Sequence, residues 1–135
     1  MEKISWDTRF NTQVDVIDAQ HRQLVELMNR LLAVQDQGSS DDEMADILGA
    51  MTNSFGHHFD TEEQMMIDLG YPEIESHREA HQRFVFHTAY FMATYRESGA
   101  TIKNEILSFL RAWLVDHIVK NDGDLGRFIK AARSD

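Results

Sequence analysis

Imidazoles and carboxylates stand in this chain at positions that helical periodicity sends to a core. After Asp18, His21 is in register with Leu24, Val25, Met28, Leu31 and Leu32. The next stripe holds Met44, Ile47, Leu48, Met51, Phe55, His58, Glu62, Met65 and Leu69. A third runs through Ile74, His77, His81, Phe84, Val85, Thr88, Met92 and Tyr95, and a fourth through Ile106, Phe109, Leu110, Trp113, Leu114 and His117. Burying one such polar group without a partner costs roughly 2–7 kcal/mol. Repeated on four helices, that cost exceeds the roughly 5–15 kcal/mol by which a small domain is stable. Either these groups satisfy one another or something binds them, and a multivalent cation does so most simply.

The stripes and their punctuation predict an all-α fold, an antiparallel up-down four-helix bundle. One domain spans residues 1–135, with an arm over 1–17, bundle helices over about 18–37, 41–69, 73–98 and 102–120, and a short C-terminal helix over about 123–132. The arm lacks helical periodicity but carries Trp6, Phe10, Val14, Val16 and Ile17, so it is expected to lie on the bundle. Asp18 is the expected N-cap of the first helix, and Ser39, Ser40 and Asp41 offer caps for the second. Gly38, Gly70 with Pro72, and Gly99 mark the three turns.

Composition removes whole classes of function. A chain with no cysteine has no disulfide, iron–sulfur cluster, thiolate zinc site or covalent c-type haem attachment. Its net charge of −10 opposes binding to a nucleic-acid backbone or to an anionic membrane. Asp7, Arg9 and Asp15 interrupt any leader-like apolar run, and no stretch is apolar enough to span a bilayer. A cytoplasmic protein is the expectation.

Any metal must therefore be held by nitrogen and oxygen. His58 and Glu62 are four residues apart, as are His77 and His81, so each pair leaves one helix face. His117 and Asp122 are five apart, which a regular helix would splay; the spacing predicts a distorted or ending helix there, a π-bulge being one form. Five imidazoles and two carboxylates are too many for one tetrahedral zinc and suit a pair of metals. If two six-coordinate metals share both carboxylates and a solvent oxygen, one position stays open, on the metal with fewer histidines. Such ligation suits iron, while ligand type alone leaves zinc and copper open. Trp113 and Leu114 share the face of His117 and, with Phe55 and Phe59, are the candidates to line a dry pocket.

Several stretches together resemble the hemerythrin family, specifically its single-domain bacterial members. They are Ile17-Asp18-Ala19-Gln20-His21, His58-Phe59-Asp60-Thr61-Glu62-Glu63, Met65-Met66, Gly70-Tyr71-Pro72, His77-Arg78-Glu79-Ala80-His81 and the run from Trp113 to Asp122. The resemblance implies an oxo- or hydroxo-bridged pair of iron ions. His77, His81 and His117 would hold one iron, His21 and His58 the iron with the vacancy, and Glu62 and Asp122 would bridge both. It further implies reversible dioxygen binding for transport, storage or delivery to an oxygen-consuming enzyme, with Phe55, Phe59, Trp113 and Leu114 about the gas, by a monomer that is not an enzyme.

Two other readings compete. Ferritin-like di-iron oxidases and peroxidases pair Glu with Glu-x-x-His motifs, and no such motif occurs here. An oxygen or redox sensing module needs an output domain, so the length of the native gene product discriminates it. His57 and His87 fall off the stripes and read as surface residues, and Met51, Met65 and Met66 as core filler.

Overall fold

A computed structural model describes residues 2–38, 41–98 and 103–133. Four long helices account for most of them: α1 (Asp15–Asp36), α2 (Asp41–Leu69), α3 (Ile74–Ser98) and α4 (Lys103–Asp116). A π-helical turn, His117–Asp122, joins α4 to α5 (Gly123–Arg133), and no strand occurs among the described residues. Helix α1 packs on α2 and α4, and α3 on the same two, which closes the four into a bundle. None of these helices is long and apolar enough to cross a membrane.

The bundle holds two apolar cores with a polar layer between them. The larger is built from Leu24, Met28, Leu31 and Leu32 of α1, Met44, Leu48, Met51 and Phe55 of α2, Phe84 of α3, and Ile106, Leu107, Leu110 and Leu114 of α4. The smaller gathers Val14, Ile17, Met66, Tyr71, Leu125 and Ile129. Tyr71 reaches it because Gly70, at φ +67°, lets α2 end in a Schellman turn, with Tyr71 N–H donating to Met66 O (2.9 Å) and Gly70 N–H to Ile67 O (3.3 Å).

Asp18 does not cap α1. The helix begins at Asp15, three residues earlier, behind Val14, which makes no side-chain capping bond. Val14 and Ile17 are drawn inward by the small core, which extends the helix backwards and frees Asp18 for another use. Its Oδ1 accepts from Thr12 N–H (2.8 Å) and from Thr12 Oγ1–H (2.7 Å). Between them Gln13 adopts φ +67°, a strained value for a side-chain-bearing residue. Behind this clasp α5 comes so close that a Cβ on Gly126 would lie 2.7 Å from the Thr12 carbonyl oxygen. The arm is ordered as expected: Phe10 is buried, and Ile4 exchanges two hydrogen bonds with the Asn29 side chain.

Further expectations need correction. Val85 is exposed, as is Val16 of the supposed arm, and Leu69 is partly exposed at the end of α2. The fourth helix ends as an α-helix at Asp116, not near residue 120, because the π turn intervenes. Leu107 is fully buried although the fourth stripe omits it. The caps Ser39 and Ser40, the stop at Gly99 and the side chain of Tyr95 lie outside the described residues.

Candidate metal centre

All seven ligand candidates meet in the polar layer, and each is at most 4% exposed. Helix α1 supplies His21, α2 His58 and Glu62, α3 His77 and His81, and the π turn both His117 and Asp122. On a regular α-helix residues five apart are rotated by about 140°. The π turn absorbs one extra residue, and Gly123 N–H reaches back five residues to Ile118 O. His117 Nε2 and Asp122 Oδ1 consequently come within 3.0 Å.

Two sets of donor atoms lie within 4.8 Å of one another among the described residues. One is Glu62, His77, His81, His117 and Asp122, the other His21, His58, Glu62 and Asp122. The carboxylates belong to both. Asp122 divides its oxygens between them: Oδ2 lies 2.6 Å from His21 Nε2 and 3.1 Å from His58 Nε2, while Oδ1 faces His117 and His77 (3.2 Å). Glu62 Oε1 is 3.1 Å from His81 Nε2, 3.2 Å from His77 Nε2 and 3.5 Å from His58 Nε2.

These contacts do not amount to a satisfied hydrogen-bond network. His58 Nδ1–H donates to Gln20 Oε1 (2.8 Å), whose amide donates in turn to Thr61 Oγ1 (3.0 Å), which donates to His57 O (3.0 Å). That chain fixes the tautomer of neutral His58, so its Nε2 presents a bare lone pair. The same nitrogen stands 3.2 Å from His21 Nε2, and His81 Nε2 stands 3.2 Å from His117 Nε2. Glu62 Oε2 and Asp122 Oδ1 have no aligned donor at all. Two partnerless carboxylate oxygens, and imidazole nitrogens that face one another at 3.2 Å, leave lone pairs aimed at common points and fit a pair of divalent cations.

Electrostatics agrees. Burial, then the charge of Asp122, pushes the Glu62 carboxyl well above its usual range. Burial acts to raise Asp122 too, but His117 with help from Glu62 and His21 outweighs it and holds Asp122 well below. Desolvation lowers His58, partly offset by Asp122, and brings His81 down to about 2, with His117 and His77 adding to the shift. Neutral imidazoles beside carboxylates that resist sharing the site as anions are a donor set awaiting positive charge.

Of the four residues expected to line a dry pocket, Phe55 and Phe59 do line an apolar recess between α2 and α3. Trp113 touches their rings at 5.7 Å and stacks on His117 at 4.3 Å. Leu114 is buried in the large core rather than in that recess. His57 and His87 are exposed. Sequence reasoning missed Gln20, which orients His58, Thr61, which orients Gln20, and Glu63, whose Oε2 is 3.7 Å from His81 Nδ1. Each neighbours a ligand in the chain or lies one short of a helical turn from one; polar type at a half-buried position was the available signal.

The family model described as "Hemerythrin HHE cation binding domain" matches residues 12–129. A bacteriohemerythrin of Stenotrophomonas maltophilia (strain R551-3) is 32% identical over 97% of this chain and 84% of its own length. A bacteriohemerythrin of Methylococcus capsulatus (strain Bath) is 28% identical over 97% of this chain and 100% of its own length. The crystal structure of wild-type hemerythrin superposes with a TM-score of 0.82 at 26% identity, covering 93% of this chain and 97% of the other. With the cation-binding family model spanning its helices and the seven donors gathered where those helices meet, this chain belongs to the hemerythrin family.

Proposed function

We propose that this protein binds dioxygen reversibly at a non-haem di-iron centre and is not an enzyme. The observation that carries the reading is the unequal sharing of the layer: three imidazoles face one side of Glu62 and Asp122 and two face the other. His77, His81 and His117 with both carboxylates would hold one iron, and His21 and His58 with the same carboxylates the other, which would be the poorer in protein donors and the one open to a gas ligand. When bound, a ferrous pair supplies the two electrons that hold dioxygen and take part again in its release.

The chain's own residues make such binding reversible. Glu62 and Asp122 offset the cationic charge inside an apolar shell. Gln20 holds His58 with its lone pair inward. Phe59, stacked at 3.9 Å on His81, and Trp113, stacked on His117, cover the imidazoles and exclude water. Nitrogen-rich donors, without the Glu-x-x-His pattern of carboxylate-rich oxidases, favour carriage over oxygen activation. The reading extends to a cytoplasmic monomer that stores dioxygen or passes it to an oxygen-consuming enzyme.

Iron quantification with optical spectra tests it. Protein reconstituted with ferrous salt under argon should hold about two irons per chain. A visible band should appear on aeration and vanish on degassing. Irreversible oxidation on the first exposure, or turnover of peroxide, would replace the carrier with an enzyme.

A further inference from the structure

The seven donors are sealed from solvent, so a ligand of the centre must pass through protein. Between α2 and α3 lies a cavity of about 300 Å³ whose wall is almost wholly apolar. Exposed Gly56 and Ala89 stand at its mouth, and buried Phe55, Phe59 and Phe84 form its floor. Thr52, also in the wall, spends its hydroxyl on Leu48 O (2.9 Å). Thr88 Oγ1 has no hydrogen-bond partner among the described residues.

The floor leads to the metal layer. Phe59 lies flat on His81, and its ring centroid is 6.1 Å from both His58 and His117. Phe55, Phe84 and Trp113 complete an aromatic cluster around it, all within 5.7 Å of the Phe59 ring. A second recess touches the layer at His77, but Glu73, Ser76, Asn121 and Asp124 line it, so it suits water and ions. An uncharged diatomic gas that forms no strong hydrogen bonds partitions into the first.

We infer that the α2–α3 cavity is the route by which dioxygen reaches the centre, with Gly56 and Ala89 holding its mouth open and Phe59 forming the last barrier. The inference rests on the dioxygen reading above. Glycine in the middle of a 29-residue helix is a poor helix former. A Cβ built on Gly56 meets no atom within 4 Å, so a side chain there starts in open space beside the mouth.

The test uses iron-loaded protein and Gly56→Leu, which keeps every candidate ligand and improves helix propensity. Because a blocked passage slows motion both ways, association and dissociation rates of dioxygen should fall together by about tenfold, with the oxygenated spectrum and equilibrium affinity unchanged. Glu73→Leu, at the polar recess, should leave both rates at the parent value. Xenon under pressure should occupy the α2–α3 cavity of the deoxygenated parent and be lost in Gly56→Leu. Parent rates in Gly56→Leu, slowing by Glu73→Leu instead, or no xenon in the parent cavity would each overturn the route. A parent protein that seats xenon there yet takes up no dioxygen reversibly would instead sink the carrier reading, and the route with it.

Discussion

The two halves of the bundle interior solve opposite problems. Around Leu31, Leu48 and Leu107, every buried side chain among the described residues is apolar and stabilises the fold by leaving water, roughly 1.5–3 kcal/mol for each large residue. In the layer of His21, His58, Glu62, His77, His81, His117 and Asp122, burial works against folding, because Glu62 Oε2 and Asp122 Oδ1 lack a hydrogen-bond partner and imidazole nitrogens face one another at 3.2 Å. The first half needs nothing beyond the chain. The second leaves unpartnered buried oxygens that a bound cation would satisfy. A protein of this size tolerates such a layer because apolar cores on either side hold the helices in register.

The sharpest way to break that comparison is to remove one shared carboxylate. Glu62→Ala should cut bound iron from about two per chain to less than one and lower holoprotein stability by more than about 5 kcal/mol, since metal binding and folding are coupled. Iron analysis with denaturant unfolding checks this; full iron occupancy in the variant would remove Glu62 from the centre. His77→Ala should act the same way, and chelation of the parent protein should reproduce most of the loss of stability. By contrast, Leu31→Ala, in a site 0% exposed, should cost about 2–5 kcal/mol through the cavity it leaves, with iron content unchanged. Loss of iron from Leu31→Ala would mean that the halves are not separable.

Acidification should act on the polar half alone. His58 and His81 are held below their ordinary 6.5 by burial, so the unfolded chain binds protons that the fold refuses. Their contribution is present above pH 6.5 and is lost as pH falls below it. In the metal-free protein Glu62, raised above 4.5, works oppositely: its contribution is present at low pH and lost as pH rises through the raised value. A cation bound at the centre would keep Glu62 ionised and remove that opposition. Holoprotein should therefore lose iron and stability between about pH 7 and 5, more steeply than apoprotein, as followed by iron retention and thermal unfolding. Equal slopes for the two forms would contradict the assigned role of Glu62.

What was legible in the sequence follows the same division. Helix positions came from periodic burial, and α2 was placed at its observed bounds because Gly70 and a long stripe define it. The polar layer was visible because its residues break an apolar pattern, and the π turn because His117 and Asp122 are five apart. Less visible was whatever depends on a neighbour distant in sequence. Asp18 resembled a cap until Thr12 was seen to claim it; Val85 sat on a stripe that α3, with only two helices beside it, leaves partly in water. The apolar recess was half anticipated through Phe55 and Phe59, but its mouth at Gly56 and Ala89 exists only once α2 and α3 are side by side.

The smallest predicted effect tests the support of the layer rather than its donors. Gln20 accepts from His58 Nδ1–H, and its own amide is pinned by Thr61, so His58 can offer only Nε2 to a metal. Gln20→Leu keeps the volume but leaves a buried N–H without an acceptor and the tautomer unfixed. Iron affinity should fall about 10- to 100-fold, equivalent to about 1.4–2.7 kcal/mol, and the loss should concern the iron on the side of His21 and His58. Gln20→Glu retains an acceptor oxygen at the same reach and should restore the affinity. Gln20 as mere packing predicts the reverse order, since leucine fills the space and a half-buried new charge does not. Competitive iron titration of the two variants separates these outcomes, because packing and proton orientation rank leucine and glutamate oppositely at this one position.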